Sequence, residues 1–201
     1  MNRKSIITIL VMVLLVIFTS QAWCDKDSAS INVLKLSAEE MELLYGLGTE
    51  TVIGYDINIL GEDDKIIEYS MEYHWKSKSI SRASGISFRF SPEKDGHKLR
   101  MVFTSLSLRP YERFWNSSFY INDKVATRHG VVESIPEYLY VSPWTFIKEQ
   151  PLKSGEWCTI GYIFAGEDGY TSDIVTEPMA IKGKPFYALL RIRITDCREC
   201  W

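Results

Sequence analysis

Ile67-Glu-Tyr-Ser-Met-Glu-Tyr-His-Trp75 alternates apolar and polar side chains without a break. Successive side chains of a strand point to opposite faces, so this stretch predicts a β-strand with one face buried and one wet. The period of two continues on both sides. Upstream, Ile53, Tyr55, Ile57 and Ile59 alternate with Gly54, Asp56 and Asn58, and Gly61-Glu-Asp-Asp64 supplies a turn, so the two stretches read as a hairpin. Downstream, Lys76–Ser84 reads as an exposed loop, followed by Ile86, Phe88 and Phe90 as a strand. Ser91–Gly96 is a turn by composition. The return stretch carries Leu99, Met101 and Phe103, then Leu106 and Leu108, and this change of phase predicts a β-bulge.

Arg109-Pro110 breaks that strand and leaves Tyr111–Asn116 as a loop. Ser118–Ile121 and Lys124–Arg128 flank Asn122-Asp123, two residues that tolerate the positive φ of a tight hairpin turn. Glu137–Val141, Trp144–Ile147, Glu156–Ala165 and Tyr170–Val175 read as further strands, with a stop near Pro151. The last is Phe186–Thr195, in which Arg191 and Arg193 face away from an apolar row, toward water or an acidic partner. One helix is expected, opened by the Ser37-Ala-Glu-Glu40 capping box. Asn32–Leu36 is a short strand before it. Roughly ten short strands without alternating helices predict an all-β fold, an antiparallel β-sandwich with one short helix near the amino end. A lipocalin-like barrel is the alternative.

The amino end carries a different signal. Ile6–Phe18 is apolar except for Thr8, follows Arg3 and Lys4, and exits through Ser20-Gln21-Ala22. A basic start, a short apolar run and a small-residue exit describe a secretory signal peptide. Residues 1–22 are therefore expected to be removed, leaving 23–201 as a single β-sandwich domain in the periplasm or outside the cell. The run is short for a span, which needs about 20 apolar residues, so no stable membrane span is expected after cleavage. Membrane anchoring through an uncleaved signal or a lipidated Cys24 is the alternative, and Trp23 directly before that cysteine argues against lipidation.

Cleavage takes two of the 23 basic residues and none of the 26 acids, so the formal charge moves from −3 to −5. No basic stripe exists, which speaks against nucleic acid as a partner. Cys24, Cys158, Cys197 and Cys200 are disulfide candidates, because an even count outside the cytosol usually means disulfides.

Catalytic signatures are missing. His74, His97 and His129 form no local metal-binding spacing, and no Gly-x-Ser-x-Gly elbow or phosphate loop occurs. No metal, cofactor or catalytic residue is assigned. Glu68 and Glu72 share the polar face of their strand, but residues four apart lie about 13 Å from each other along it. Retaining glycosidases place their two acids about 5 Å apart and inverting ones about 6.5–9.5 Å, so these two are no catalytic pair.

The chain is rich in aromatics, with eleven Tyr, nine Phe and six Trp. Arg109, Tyr111, Arg113 and Trp115 sit in the predicted loop, and Trp144 follows Pro143. Flat rings suit stacking on sugars, and arginine forks suit carboxylate or phosphate. These five residues are the candidate ligand-binding set of a non-catalytic module for glycan. An envelope protein engaging another chain through a sheet edge is the second expectation, and a polysaccharide hydrolase the third.

Overall fold

The computed structural model describes residues 27–34, 36–46, 48–75, 80–109, 112–135, 139–142, 144–146, 149–166 and 184–197. The expected signal peptide and the expected strand Tyr170–Val175 lie outside them, as do Lys76–Ser79 of the expected loop.

Among the described residues, twelve strands form two antiparallel sheets. They are β1 (Asp27–Leu34), β2 (Thr49–Ile59), β3 (Lys65–Trp75), β4 (Ile80–Phe90), β5 (Lys98–Arg109) and β6 (Glu112–Ile121), then β7 (Lys124–Ser134), β8 (Tyr140–Val141), β9 (Thr145–Phe146), β10 (Glu149–Lys153), β11 (Cys158–Gly166) and β12 (Phe186–Asp196). The first sheet runs β10-β1-β2-β5-β6-β7. The second runs β4-β3-β12-β11-β8, with β9 also paired to β11. The fold is an all-β sandwich, and neither sheet closes into a barrel.

Strand β3 shows why. Its eleven residues alternate perfectly between buried and half-buried, with Ile67, Tyr69, Met71, Tyr73 and Trp75 turned into the core. Tyr55, Phe90, Phe103, Trp115, Phe119 and Phe186 meet them there from other strands. Each such side chain contributes about 1.5–3 kcal/mol by leaving water. Polar ties cross the same interior. Tyr55 Oη donates to the Ile160 carbonyl at 2.9 Å, Ser117 Oγ to Tyr69 Oη at 2.6 Å, and Trp75 Nε1 to Glu133 Oε1 at 3.0 Å.

Helix α1 (Ala38–Gly46) has the expected capping box: the Ser37 amide donates to Glu40 Oε2 at 2.7 Å, and the Glu40 amide to Ser37 Oγ at 3.2 Å. The expected Ser91–Gly96 turn contains a helical turn, α2 (Pro92–Asp95). Asn122 and Asp123 both have positive φ, at 49° and 60°, in the β6–β7 hairpin.

Four expectations need correction. Residues 80–84 of the expected Lys76–Ser84 loop are strand, the first part of β4. The inward phase of β5 does not flip after Phe103: it passes to Ser105, which is buried, and the register shifts lie between Thr49 and Thr51 of β2 and, farther along β5, between Ser107 and Arg109. Pro151 does not end a strand but sits within β10, at the edge of the first sheet, where a missing N–H costs no ladder bond. Residues 112–116 are strand rather than loop.

Candidate functional site

That last correction dismantles the expected aromatic platform. Strand β6 turns Trp115 inward to 0% exposure, and Trp144 is 8% exposed with its ring 5.5 Å from that of Trp115 and 4.9 Å from that of Phe103. Both indoles are core. Arg113 donates to Ser107 Oγ and lies 3.5 Å from Glu50, while Arg109 pairs with Glu112 at 3.5 Å. Tyr111 lies outside the described residues. The four described residues do not converge on one surface.

The cysteines divide. Cys197 is disulfide-bonded. Cys158 is a free thiol, which corrects its candidacy: its sulfur accepts from Gln150 Nε2 at the start of β11, and burial pushes its pKa up to about 11. Cys24 and Cys200 lie outside the described residues.

A different surface brings chemistry together: the outer face of the second sheet. In the β3–β12 register Glu68 stands opposite Arg193, Ser70 opposite Arg191, Glu72 opposite Leu189 and His74 opposite Tyr187. Arg193 grips Glu68 with two nitrogens, at 2.6 and 2.7 Å. Arg191 reaches diagonally to Glu72 at 2.9 Å. The acidic partner expected for these arginines is therefore the chain's own β3. Hydrogen bonding to Glu68 also raises the pKa of Arg193. At the far end the His74 and Tyr187 rings stack, with centroids 4.4 Å apart and planes at 16°.

Trp157 precedes β11 and lays its indole across this ladder, with its ring centroid 4.8 Å from the Arg193 guanidinium carbon and 5.5 Å from that of Arg191. Guanidinium on indole is a cation–π arrangement, and it fixes the ring without burying it. On the other side of β3, the outward positions of β4 opposite Glu68, Ser70 and Glu72 are Ser87, Gly85 and Ala83. Their small side chains leave a trough of about 340 Å³ between β4 and the Trp157 ring, with Glu68 and Ser70 on its wall. Gly85 is required there: a Cβ at that position would stand 2.1 Å from the Tyr69 carbonyl oxygen.

The trough offers an aromatic surface, carboxylate oxygens with lone pairs to spare, hydroxyls and a floor free of bulk. This is the equipment for an apolar ring face edged by hydroxyl groups. The sequence carried part of the signal in the matching polar faces of Glu68/Glu72 and Arg191/Arg193. Nothing in it placed Trp157, which adjoins an apolar strand and reads as part of it.

Nucleophilic chemistry finds less support. Ser84 Oγ lies 2.8 Å from His129 Nε2 between the edges of the two sheets, but His129 Nδ1 is buried without a hydrogen-bond partner. No carboxylate orients that imidazole, as a catalytic triad requires. No helix among the described residues is long and apolar enough to cross a membrane.

Comparison with known proteins matches residues 30–182, most of the chain, to the YgaN domain. No curated protein and no solved structure matches.

Proposed function

The chain belongs to the YgaN domain family, and we propose that it is an exported, non-catalytic module that binds glycan on the outer face of its second sheet. The observation that carries this reading is Trp157, held over two paired guanidiniums beside a trough walled by Glu68 and floored by Gly85 and Ala83. An aromatic ring fixed at the surface loses little entropy when it stacks on a sugar. Glu68 and Glu72 are each tied to their own arginine, which favours binding over hydrolysis. The apolar leader Ile6–Phe18 and the disulfide at Cys197 support export.

The test is a glycan array probed with residues 23–201, followed by calorimetry of Trp157→Ala on the glycans retained. Truncating a central aromatic costs about 2 kcal/mol or more, so a loss of about 30-fold or more in affinity is expected. A blank array, or a Trp157→Ala variant that binds as tightly as the parent, refutes the proposal.

A second reading, assembly with another envelope chain, draws on the two long edges. Strands β4 and β7, eleven residues each, end their respective sheets on the same side of the sandwich. Long edges can accept an added strand. Recovery of one stoichiometric partner after in vivo cross-linking from an edge residue such as Val132 would favour it, and an unmodified monomer would count against it.

A further inference from the structure

Resting on that glycan reading, we propose that the trough takes a linear, uncharged polysaccharide chain, which runs along β3 from Trp157 to a second platform formed by the stacked rings of His74 and Tyr187.

Direction comes from the sheet. The small outward residues of β4 (Ser87, Gly85, Ala83) and the tall outward residues of β12 (Arg193, Arg191, Tyr187) flank β3 on opposite sides. They make a shelf and a wall that both run parallel to the strand. A chain lying on the shelf passes Glu68, Ser70, Glu72 and His74 in turn. From Ser70 and Arg191, next to Trp157, to His74 and Tyr187 is four residues on either strand, about 13 Å. That is longer than one sugar ring, so a single sugar cannot reach both platforms.

Charge follows from how the arginines are used. Arg193 spends Nε and Nη2 on Glu68, and Arg191 spends Nη1 on Glu72 while its Nε is buried. The guanidinium N–H groups turned toward β3 already meet Glu68 and Glu72, so a uronate, sulfate or phosphate lying on the shelf would face carboxylates before it met an arginine fork. An anionic sugar would have to displace a carboxylate already in place. A neutral sugar needs no displacement, because each carboxylate oxygen keeps a lone pair for a hydroxyl or amide N–H. Tyr187 adds a donor: burial and the nearby Glu72 raise its pKa, so the phenol stays protonated.

The experiment is calorimetry of residues 23–201 with chito-oligosaccharides and cello-oligosaccharides of two to six units, and with oligogalacturonates as the anionic series. For the neutral series that binds, affinity should climb with length and then level off once the chain covers both platforms. Trp157→Ala should weaken every length. Tyr187→Ala, or His74→Ala should Tyr187→Ala fail to fold, should leave the dimer within about twofold of the parent and weaken the hexamer about tenfold. Affinity independent of length, a Tyr187→Ala or His74→Ala variant that leaves the hexamer unchanged, or oligogalacturonates binding as tightly as the neutral series each overturn the inference. In those cases the glycan reading at Trp157 still stands. Failure of both neutral series overturns the inference, and the reading beneath it falls if the array is blank as well or if Trp157→Ala binds the retained glycans as tightly as the parent.

Discussion

Replacing Gly85 by alanine adds one methyl group at an exposed position of an edge strand, a change that composition alone would pass as harmless. The structure predicts otherwise. The new Cβ would lie 2.1 Å from the Tyr69 carbonyl oxygen and 3.1 Å from both the Tyr69 carbonyl carbon and Ser70 Cα. All three atoms are backbone of β3, which is bonded to β4 on one side and β12 on the other, so no side-chain rotation relieves the contact. Overpacking costs about 1–3 kcal/mol, occasionally more, and a backbone obstacle puts this case at the upper end. Against it stands about 0.4–1 kcal/mol gained because alanine restricts the unfolded chain. The net loss is about 2 kcal/mol, or about 4–8 °C in Tm for a chain of this size. Gly46 at the end of α1 is the control, since a Cβ there meets nothing within 4 Å. There the same substitution should raise stability by up to about 1 kcal/mol through helix propensity. Thermal denaturation of both variants, followed by circular dichroism, reads the pair. A Gly85→Ala protein as stable as the parent would refute the argument from close approach.

Two further predictions concern the interior. Tyr69→Phe strands the buried Ser117 hydroxyl and Ser117→Ala strands the Tyr69 phenol, so each should cost about 1–3 kcal/mol in urea denaturation while the double variant costs less than their sum; strict additivity would mean that the two hydroxyls are not coupled. Burial holds the His129 pKa below its ordinary 6.5, so its contribution to stability is complete above that pH and is lost as pH falls toward the folded-state value, at no more than about 1.4 kcal/mol per pH unit. The stability difference between the parent and His129→Asn should therefore narrow or reverse from pH 8 to pH 5, and a difference that stays flat would exclude a neutral buried imidazole.

Much of the fold was legible because burial imposed a regular period. Ile67–Trp75 and Phe186–Ile194 keep one apolar face without interruption, and both strands lie inside their sheet rather than at its edge. The capping box at Ser37 and the turn at Asn122-Asp123 were legible for local reasons, a reciprocal hydrogen bond and a tolerated positive φ. Where the reading failed, serine stood at an inward position. Ser105 occupies the buried phase of β5 and looked like a phase change. Ser117 occupies the buried phase of β6 and hid the apolar row there, so that, after the Arg109-Pro110 break, Tyr111–Asn116 looked like a loop. Its hydroxyl is satisfied by Tyr69 on the opposite sheet, a partner 48 residues away that no local pattern reveals. Trp115 follows the phase of Ser117 and so left the expected ligand set, while Trp144 left it by packing against Trp115 and Phe103.

The trough was hidden for a related reason, because its parts meet only through register. Glu68 and Arg193 are 125 residues apart in the chain, and each alone is an ordinary charge on a wet face. What brings them together is the apolar side of the same two strands, where Ile67, Tyr69 and Met71 must pack beside Ile194, Ile192 and Leu190. Slipping β12 by one residue would turn Ile192 and Ile194 to water and Arg191 and Arg193 into the core. The interior forbids that slip at a cost of several buried side chains, each about 1.5–3 kcal/mol. The charge ladder that supports Trp157 is thus positioned by core packing on the other face of the sheet. Substitutions inside the sandwich that loosen this register should blunt binding without touching a single residue of the trough.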